Sequence, residues 1–368
     1  MKDDRMTDRG QLSRLRRIVV KIGTNTLTAP GGGIAHDWMQ AFANDAAAIR
    51  GSGSVAARDV ILVSSGAIGA GCSRMKLTAR PALVPERQAV AAVGQVSLMR
   101  AWERAFDSIG LFVGQMLLTK DELNDRLQYL NARNTLSALF NYGAIPIINE
   151  NDTVSTDELK IGDNDTLSAH IALLADADLL ILLTDQEGLG DVNPDGSLGE
   201  RISVVPELTN EVMALAGGKG STFSVGGMGT KLQAARMATG SGIPMVIASG
   251  QRPGVLESIL SGDDIGTLFP GNSQRLAARK RWIAFSVDSS GVIIVDDGAR
   301  DAIVGKGKSL LAVGIRGVEG EFASGDAVMI AGLDGTPFAR ALVNYSSDEL
   351  KIVKGMKKPA MIDALGGN

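Results

Sequence analysis

The chain has 368 residues, 45% hydrophobic and 21% charged, with 45 glycines and 4% aromatics. That composition suits an α/β protein with close helix-on-sheet packing and excludes a disordered or collagen-like chain. Its 37 Lys and Arg against 41 Asp and Glu give a formal charge of −4, and Cys72 is its single cysteine, so nothing in the overall charge favours nucleic acid or an anionic membrane, and no intramolecular disulfide can form.

One core rarely grows beyond roughly 250 to 300 residues, so two domains are expected, in a cytoplasmic protein. Residues 1–16 are charged throughout and lack the apolar core of a signal peptide; they read as a mobile extension. Short apolar runs then recur, "RIVVKIG", "DVILVSSG", "FVGQMLLT", "AIPIINEND", "DLLILLTD" and "IPMVIASG", each bounded by Gly, Ser, Asn or Asp. They read as buried strands, and the alanine-rich segments between them, Asp37–Gly51, Glu86–Ile109 and Asp125–Tyr142, as helices. This alternation predicts a three-layer αβα sandwich with a mainly parallel central sheet over residues 17–262. No apolar run approaches the ~20 residues a membrane span needs. Residues 263–280 are polar with one proline and read as a linker. Residues 281–368, with "SGVIIVDDG", "GDAVMIAGLDG", "ARALVNYSS" and "DELKIVKG", read as a small β-rich domain.

In parallel sheets, ligands sit beyond the carboxyl ends of the strands, so the residues that follow each strand matter most. Lys21 lies within or at the end of the first strand, where it is either a paired or snorkelling lysine or a cation for a transferring phosphoryl group. The second strand runs into "SSGAIGAG", a turn able to present N–H groups to an anion or simply to cap a helix with Ser65. Its glycines do not have the G-x-G-x-x-G spacing of a dinucleotide site. Thr184 and Asp185 end another strand before a long polar loop. Further on, a glycine turn, Gly226 to Gly229, leads through Thr230 and Lys231 into an amphipathic helix, as a phosphate cradle or a hinge. A Walker A motif fails at Lys231, and "GKGKS" near Gly305 is a decoy because Ala302 replaces the first glycine. His36 and His170 are the only histidines, too few for a His/Cys zinc site or a Cys-His nucleophile, and both read as structural or incidental.

The stretch "IPIINENDTVSTDELKIGDNDTLSAH" holds six carboxylates, Glu150, Asp152, Asp157, Glu158, Asp163 and Asp165, and one lysine, Lys160. The spacing does not fit an EF-hand. A solvated acidic loop remains one reading. The interleaved Asn149, Asn151 and Asn164 support another, because mixed amides and carboxylates can hold an ammonium and a carboxylate together in an amino-acid pocket beside a phosphate site.

In this order "VVKIGTNTL", "VSSGAIGAG", "IPIINENDTV", "GDNDTLSA", "LLTDQEGL" and "GGMGTK" resemble the bacterial glutamate 5-kinases, a family of the amino-acid kinase superfamily. "RKRWIAF", "GKGKSLLAVGI", "GEFASGDAV" and "ARALVNYSSDEL" resemble the PUA domain appended to many members. The resemblance spans Arg17 to Gly355 and implies transfer of the γ-phosphoryl group of ATP to the γ-carboxylate of L-glutamate, the first step of proline synthesis. It implies that Lys21 and Lys231 contact the phosphates and that Asp165 orients them. Ser65, Asp152 and Asn164 would bind glutamate, with Asp163 and Asn149 close by. Thr184, Asp185 and the turn Val225, Gly226, Gly227, Met228, Gly229, Thr230 and Lys231 would hold ATP, with magnesium carried mainly by the nucleotide and no protein ligand assigned to it. Proline as feedback inhibitor at or overlapping the glutamate pocket, a dimer or tetramer, and glutamyl phosphate reductase as downstream partner follow from the same resemblance. Thr153 to Lys160 would be a mobile loop over the pocket. Gly229 departs from the serine common in relatives.

Rival readings are a kinase of N-acetylglutamate or aspartate, or RNA binding through the PUA-like domain. The second is weakened by 10 Lys and Arg against 11 Asp and Glu from Arg281 onward, a poor footprint for phosphate backbones. A free α-ammonium calls for surrounding carboxylates, which "NEND" and "GDND" supply.

Overall fold

The computed structural model describes residues 9–51, 58–155, 163–192, 198–215, 227–272 and 289–365. The chain divides into two compact units, 1–278 and 279–368. In the first, strands β1 (Arg17–Ile22), β2 (Asp59–Ser64), β3 (Val113–Leu118), β4 (Ile145–Glu150), β5 (Leu179–Thr184), β8 (Met245–Ser249) and β9 (Thr267–Phe269) form one sheet in the order β3-β4-β2-β1-β5-β8-β9; a hairpin of β6 (Gly190–Val192) and β7 (Leu198–Arg201) stands apart. Every neighbouring pair is parallel except β8 with β9, so the carboxyl ends of β1, β2, β4 and β5 share one edge.

Strand side chains alternate between faces. Ile18, Val20 and Ile22 of β1, Val60 and Leu62 of β2, and Leu179, Ile181 and Leu183 of β5 pack with Met39, Phe42, Trp102, Phe106 and Leu256 from the helices His36–Gly51, Val84–Asp107 and Val255–Ser261. The few aromatics concentrate here, Trp38, Phe42, Trp102 and Phe106 forming a chain of ring contacts 5.2–6.0 Å between centroids. Lys21, out of phase with that set, turns to the opposite face, where the helix Asp163–Leu174 lies. Two helices of the first face approach closely at glycines. A Cβ on Gly94 would sit 1.8 Å from the carbonyl oxygen of Ala67, and one on Gly71 would sit 2.0 Å from that of Val90. Only glycine allows the helix Ala67–Arg74 to lie so near Val84–Asp107.

Three expectations are corrected. Residues 9–16 are not a free extension: Arg9–Arg14 is a 3-10 helix in which Leu12 is wholly buried and Arg9 donates to the carbonyls of Ser203, Asp263, Ile265 and Gly266. The linker does not start at residue 263, because "TLF" supplies the antiparallel edge strand β9, all three residues buried. "DELKIV" of the segment "DELKIVKG" belongs to a helix, Ser347–Val353, opened by a capping box in which Ser346 and Glu349 satisfy each other's backbone N–H groups.

In the second unit β10 (Gly291–Val295), β11 (Ile315–Gly320), β12 (Ala327–Ala331) and β13 (Pro337–Leu342) form a sheet ordered β11-β10-β12-β13 around Ile293, Val295, Val328 and Ile330. Gly305 and Lys306 of "GKGKS" end the helix Asp297–Lys306, with Gly307 as its left-handed cap at φ +59°. A P-loop opens a helix; this sequence closes one. Among the described residues no helix is long and apolar enough to cross a membrane.

Candidate active site

Lys21 sits near the end of the central strand, beside Val63 of β2 and Leu182 of β5, 6% exposed. Its Nζ is 2.6 Å from Asp165 Oδ1. Lys231 Nζ donates to the other oxygen, Oδ2, at 3.2 Å, and Thr230 Oγ1 donates to it at 2.8 Å. Asp165 itself is 1% exposed and lies in the first turn of its helix, where the helix dipole favours an anion. Burial pushes the Lys21 ammonium below the ordinary lysine range although Asp165 opposes the shift. For Asp165, burial acts upward, but Lys21, Lys231 and Thr230 together outweigh it and hold the carboxyl below its ordinary range.

Lys231 comes from the first turn of the helix Met228–Gly240, where its ammonium also donates to Gly227 O at 2.9 Å. Among the described residues, a Cβ at Gly227 or Gly229 would meet nothing within 4 Å, so none of them fills the space beside this turn. Val225 and Gly226 lie outside the described residues. At the end of β5, Thr184 Oγ1 and Asn25 Nδ2 donate to the two oxygens of Asp185, at 3.0 and 2.8 Å. The Asn25 bond is the main cause holding that exposed carboxyl below its ordinary range. Asn25 carries no mark in the sequence, although it stands in the "GTNT" stretch that follows Lys21 and Ile22.

On the other side of Lys21, a cluster of small polar groups spans β2 and β4. Asn164 Nδ2 lies 3.0 Å from both Ser65 Oγ and Asn149 Oδ1, donating to each. Ser65 is not a helix cap: Gly66, at φ +98°, holds that position without a side-chain bond, which leaves the Ser65 hydroxyl to the pocket. Trp102 Nε1 donates to Ser64 Oγ at 3.0 Å and anchors the strand end. Asp163 opens the helix Asp163–Leu174. Asp152 stands in the turn after β4 and lines a groove of about 530 Å³ with Gln95, Arg100, Glu103, Gln115 and Glu150. Ser155 is buried and its carbonyl accepts from Gln88, so the expected loop is tied down at that point. Residues 156–160 of it, including Asp157, Glu158 and Lys160, lie outside the described residues.

The carboxyl ends of the parallel strands thus gather two lysines on one carboxylate, beside a glycine turn and an amide cluster. Residues 16–249 match the amino acid kinase family and residues 291–363 the PUA domain. The chain is 45% identical to a glutamate 5-kinase of Trichlorobacter lovleyi, covering 97% of this chain and 94% of that one. It is 47% identical to a glutamate 5-kinase of Moorella thermoacetica over 96% and 93% of the two chains, and 46% identical to one of Geobacter sulfurreducens over 97% and 95%. This chain belongs to the amino acid kinase family, and within it to the glutamate 5-kinases.

Proposed function

We propose that the chain transfers the γ-phosphoryl group of ATP to the γ-carboxylate of L-glutamate, giving L-glutamyl 5-phosphate and ADP as the first step of proline synthesis. The observation that carries the chemistry is the buried Lys21–Asp165–Lys231 triad at the carboxyl ends of the strands. Two ammonium groups on one carboxylate leave one positive charge in excess, ready for a phosphoryl group. The nucleophile is already ionised at neutral pH, with a reference pKa of ~4.3, so no general base is required. Catalysis then consists of holding two anions in line and neutralising the charge that develops between them.

In this reading Lys21 and Lys231 touch the transferring phosphoryl group, and Asp165 fixes both ammonium groups in place. Ser65, Asn149 and Asn164 hold glutamate, with Asp152 supplying a carboxylate near its ammonium. Thr184, Asp185 and the turn from Val225 to Lys231 hold ATP. Asp185, exposed and ionised, is an oxygen donor of the hard type magnesium takes; the ion, carried mainly by the ATP phosphates, supplies charge neutralisation on them.

A cytoplasmic setting, assembly as a dimer or tetramer, inhibition by proline at or near the glutamate pocket, and hand-over of the labile product to glutamyl phosphate reductase complete the proposal. For the C-terminal unit, the near-balanced charge favours regulation or assembly over RNA binding. Trapping the acyl phosphate with hydroxylamine, in the presence of ATP and magnesium, tests the substrate assignment. Glutamate should give hydroxamate; product only with N-acetylglutamate or aspartate would overturn it.

A further inference from the structure

A primary amide has one donor end and one acceptor end, so a chain of amides has a direction. In the glutamate cluster that direction is set from outside the pocket. Asn149 Nδ2 donates to Gln95 Oε1 at 2.8 Å. Its Oδ1 then turns inward, where the backbone N–H of Glu150, which can only donate, also holds it at 2.9 Å and where it accepts from Asn164 Nδ2 at 3.0 Å. Asn164 in turn has its NH2 committed to Asn149 and Ser65. What remains is Asn164 Oδ1, a buried acceptor with no hydrogen-bond partner among the described residues.

At neutral pH the only donor that L-glutamate carries is its α-ammonium; both carboxylates accept. A buried, unsatisfied acceptor therefore selects the ammonium. Reversing the amides would present an NH2 group instead and select a carboxylate. We propose that Gln95, by accepting from Asn149, is a positioning residue that sets this polarity together with the Glu150 N–H and so makes Asn164 Oδ1 the receptor for the substrate ammonium. The proposal rests on reading the Ser65–Asn149–Asn164 cluster as the glutamate pocket.

Gln95 is suited to the task. It follows Gly94, the residue at which the helix Val84–Asp107 is pressed against the backbone of Ala67 and Gly71, so its backbone has no room to shift toward that helix. It also lines the 530 Å³ groove beside Asn151 and Asp152, which leaves space around it for a substituted side chain.

The test uses the full chain with saturating ATP and magnesium, measuring kcat and KM for glutamate together with KM for ATP. Gln95→Met, of similar length but with only a weakly accepting sulfur, should raise the glutamate KM about tenfold, with kcat within about twofold of wild type and the ATP KM unmoved. Gln95→Lys, a donor, should raise it further. Gln95→Glu keeps the acceptor and should stay near the wild-type KM. A merely structural role would lower kcat, ATP affinity and thermal midpoint together and would not spare the glutamate variant. Asn164→Ala separates the two ideas. If it raises the glutamate KM while Gln95→Met and Gln95→Lys do not, the positioning role is overturned and the pocket stands. If it leaves the glutamate KM unchanged, the pocket reading fails and this proposal fails with it.

Discussion

Lys21 Nζ and Asp165 Oδ1 are 2.6 Å apart, joining the central strand to the first turn of a helix that comes more than a hundred residues later. The same carboxylate binds Lys231 through its second oxygen. One buried anion thus fixes two cations supplied by distant parts of the chain, and the site is assembled only when the sheet and both helices are in register.

Removing that anion leaves two buried ammonium groups facing each other. Breaking a buried ion pair by deleting one partner costs about 3–5 kcal/mol, because the surviving charge is uncompensated. Asp165→Ala should therefore lose about that much unfolding free energy in urea denaturation. Asp165→Asn should lose part of it and most of the turnover, since the amide keeps the shape without the charge.

The two lysines can be separated from substrate affinity. Lys231→Ala should lower kcat by roughly 10²–10³-fold, the scale of losing one charge-stabilising donor, while the glutamate KM moves by no more than about threefold. Initial-rate kinetics decide this, and near-normal turnover would remove Lys231 from the assigned role.

The pH dependence has a definite sign on each side. The Asp165 carboxyl is held below its ordinary value of 3.8, so its contribution to stability is complete above that value and is lost as pH falls through the folded-state value. The stability gap between wild type and Asp165→Asn should close in acid. The Lys21 ammonium is held below 10.5, so between its folded value and 10.5 the unfolded chain binds more protons. Stability contributed at that residue rises with pH there, while activity falls as the cation is lost. The alkaline limb of the kcat profile should thus lie below the ordinary lysine range and should be displaced in Lys21→Arg.

Gly94→Ala introduces a Cβ 1.8 Å from the Ala67 carbonyl oxygen and 2.4 Å from the Gly71 nitrogen. Backbone cannot yield there as a side-chain end would, so the helices must part, at a cost of about 1–3 kcal/mol or more. A lower thermal midpoint is expected together with a raised glutamate KM, because Gln95 moves with the helix.

Arg9 lies outside the site but is bonded to four carbonyl oxygens. Arg9→Ala leaves those acceptors without this donor and should cost about 2–3 kcal/mol in unfolding experiments, with kcat and both KM values unchanged in the folded protein.

Much of this architecture was legible because its signals are local. The apolar runs show the strands, and the position of Lys21 within "RIVVKI" places it on the face opposite Val20 and Ile22. The pairing of Lys231 with Asp165, 66 residues apart, has no spacing signal and came from the resemblance. Arg9 and Leu12 looked like part of a charged tail because their partners, the carbonyls near residue 265 and the helix face beside it, exist only in the folded unit. At the start of "DELKIVKG" the S-x-x-E from Ser346, two residues ahead of it, to Glu349 was a readable helix start that alternating apolar residues masked. Gln95 carried no mark at all, since its role depends on which end of Asn149 it faces.

Whether glutamate itself is the nucleophile can be seen by following its oxygen. Glutamyl 5-phosphate cyclises as its own amine displaces phosphate from the acyl carbon, and the departing phosphate keeps the oxygen that joined it to the carboxyl group. With the γ-carboxylate of glutamate labelled with oxygen-18, and with ATP and magnesium, phosphorus NMR of the released phosphate should show one labelled oxygen per molecule. Phosphate released at the same rate with no label would mean that water, and not the glutamate carboxylate, attacks ATP at this site.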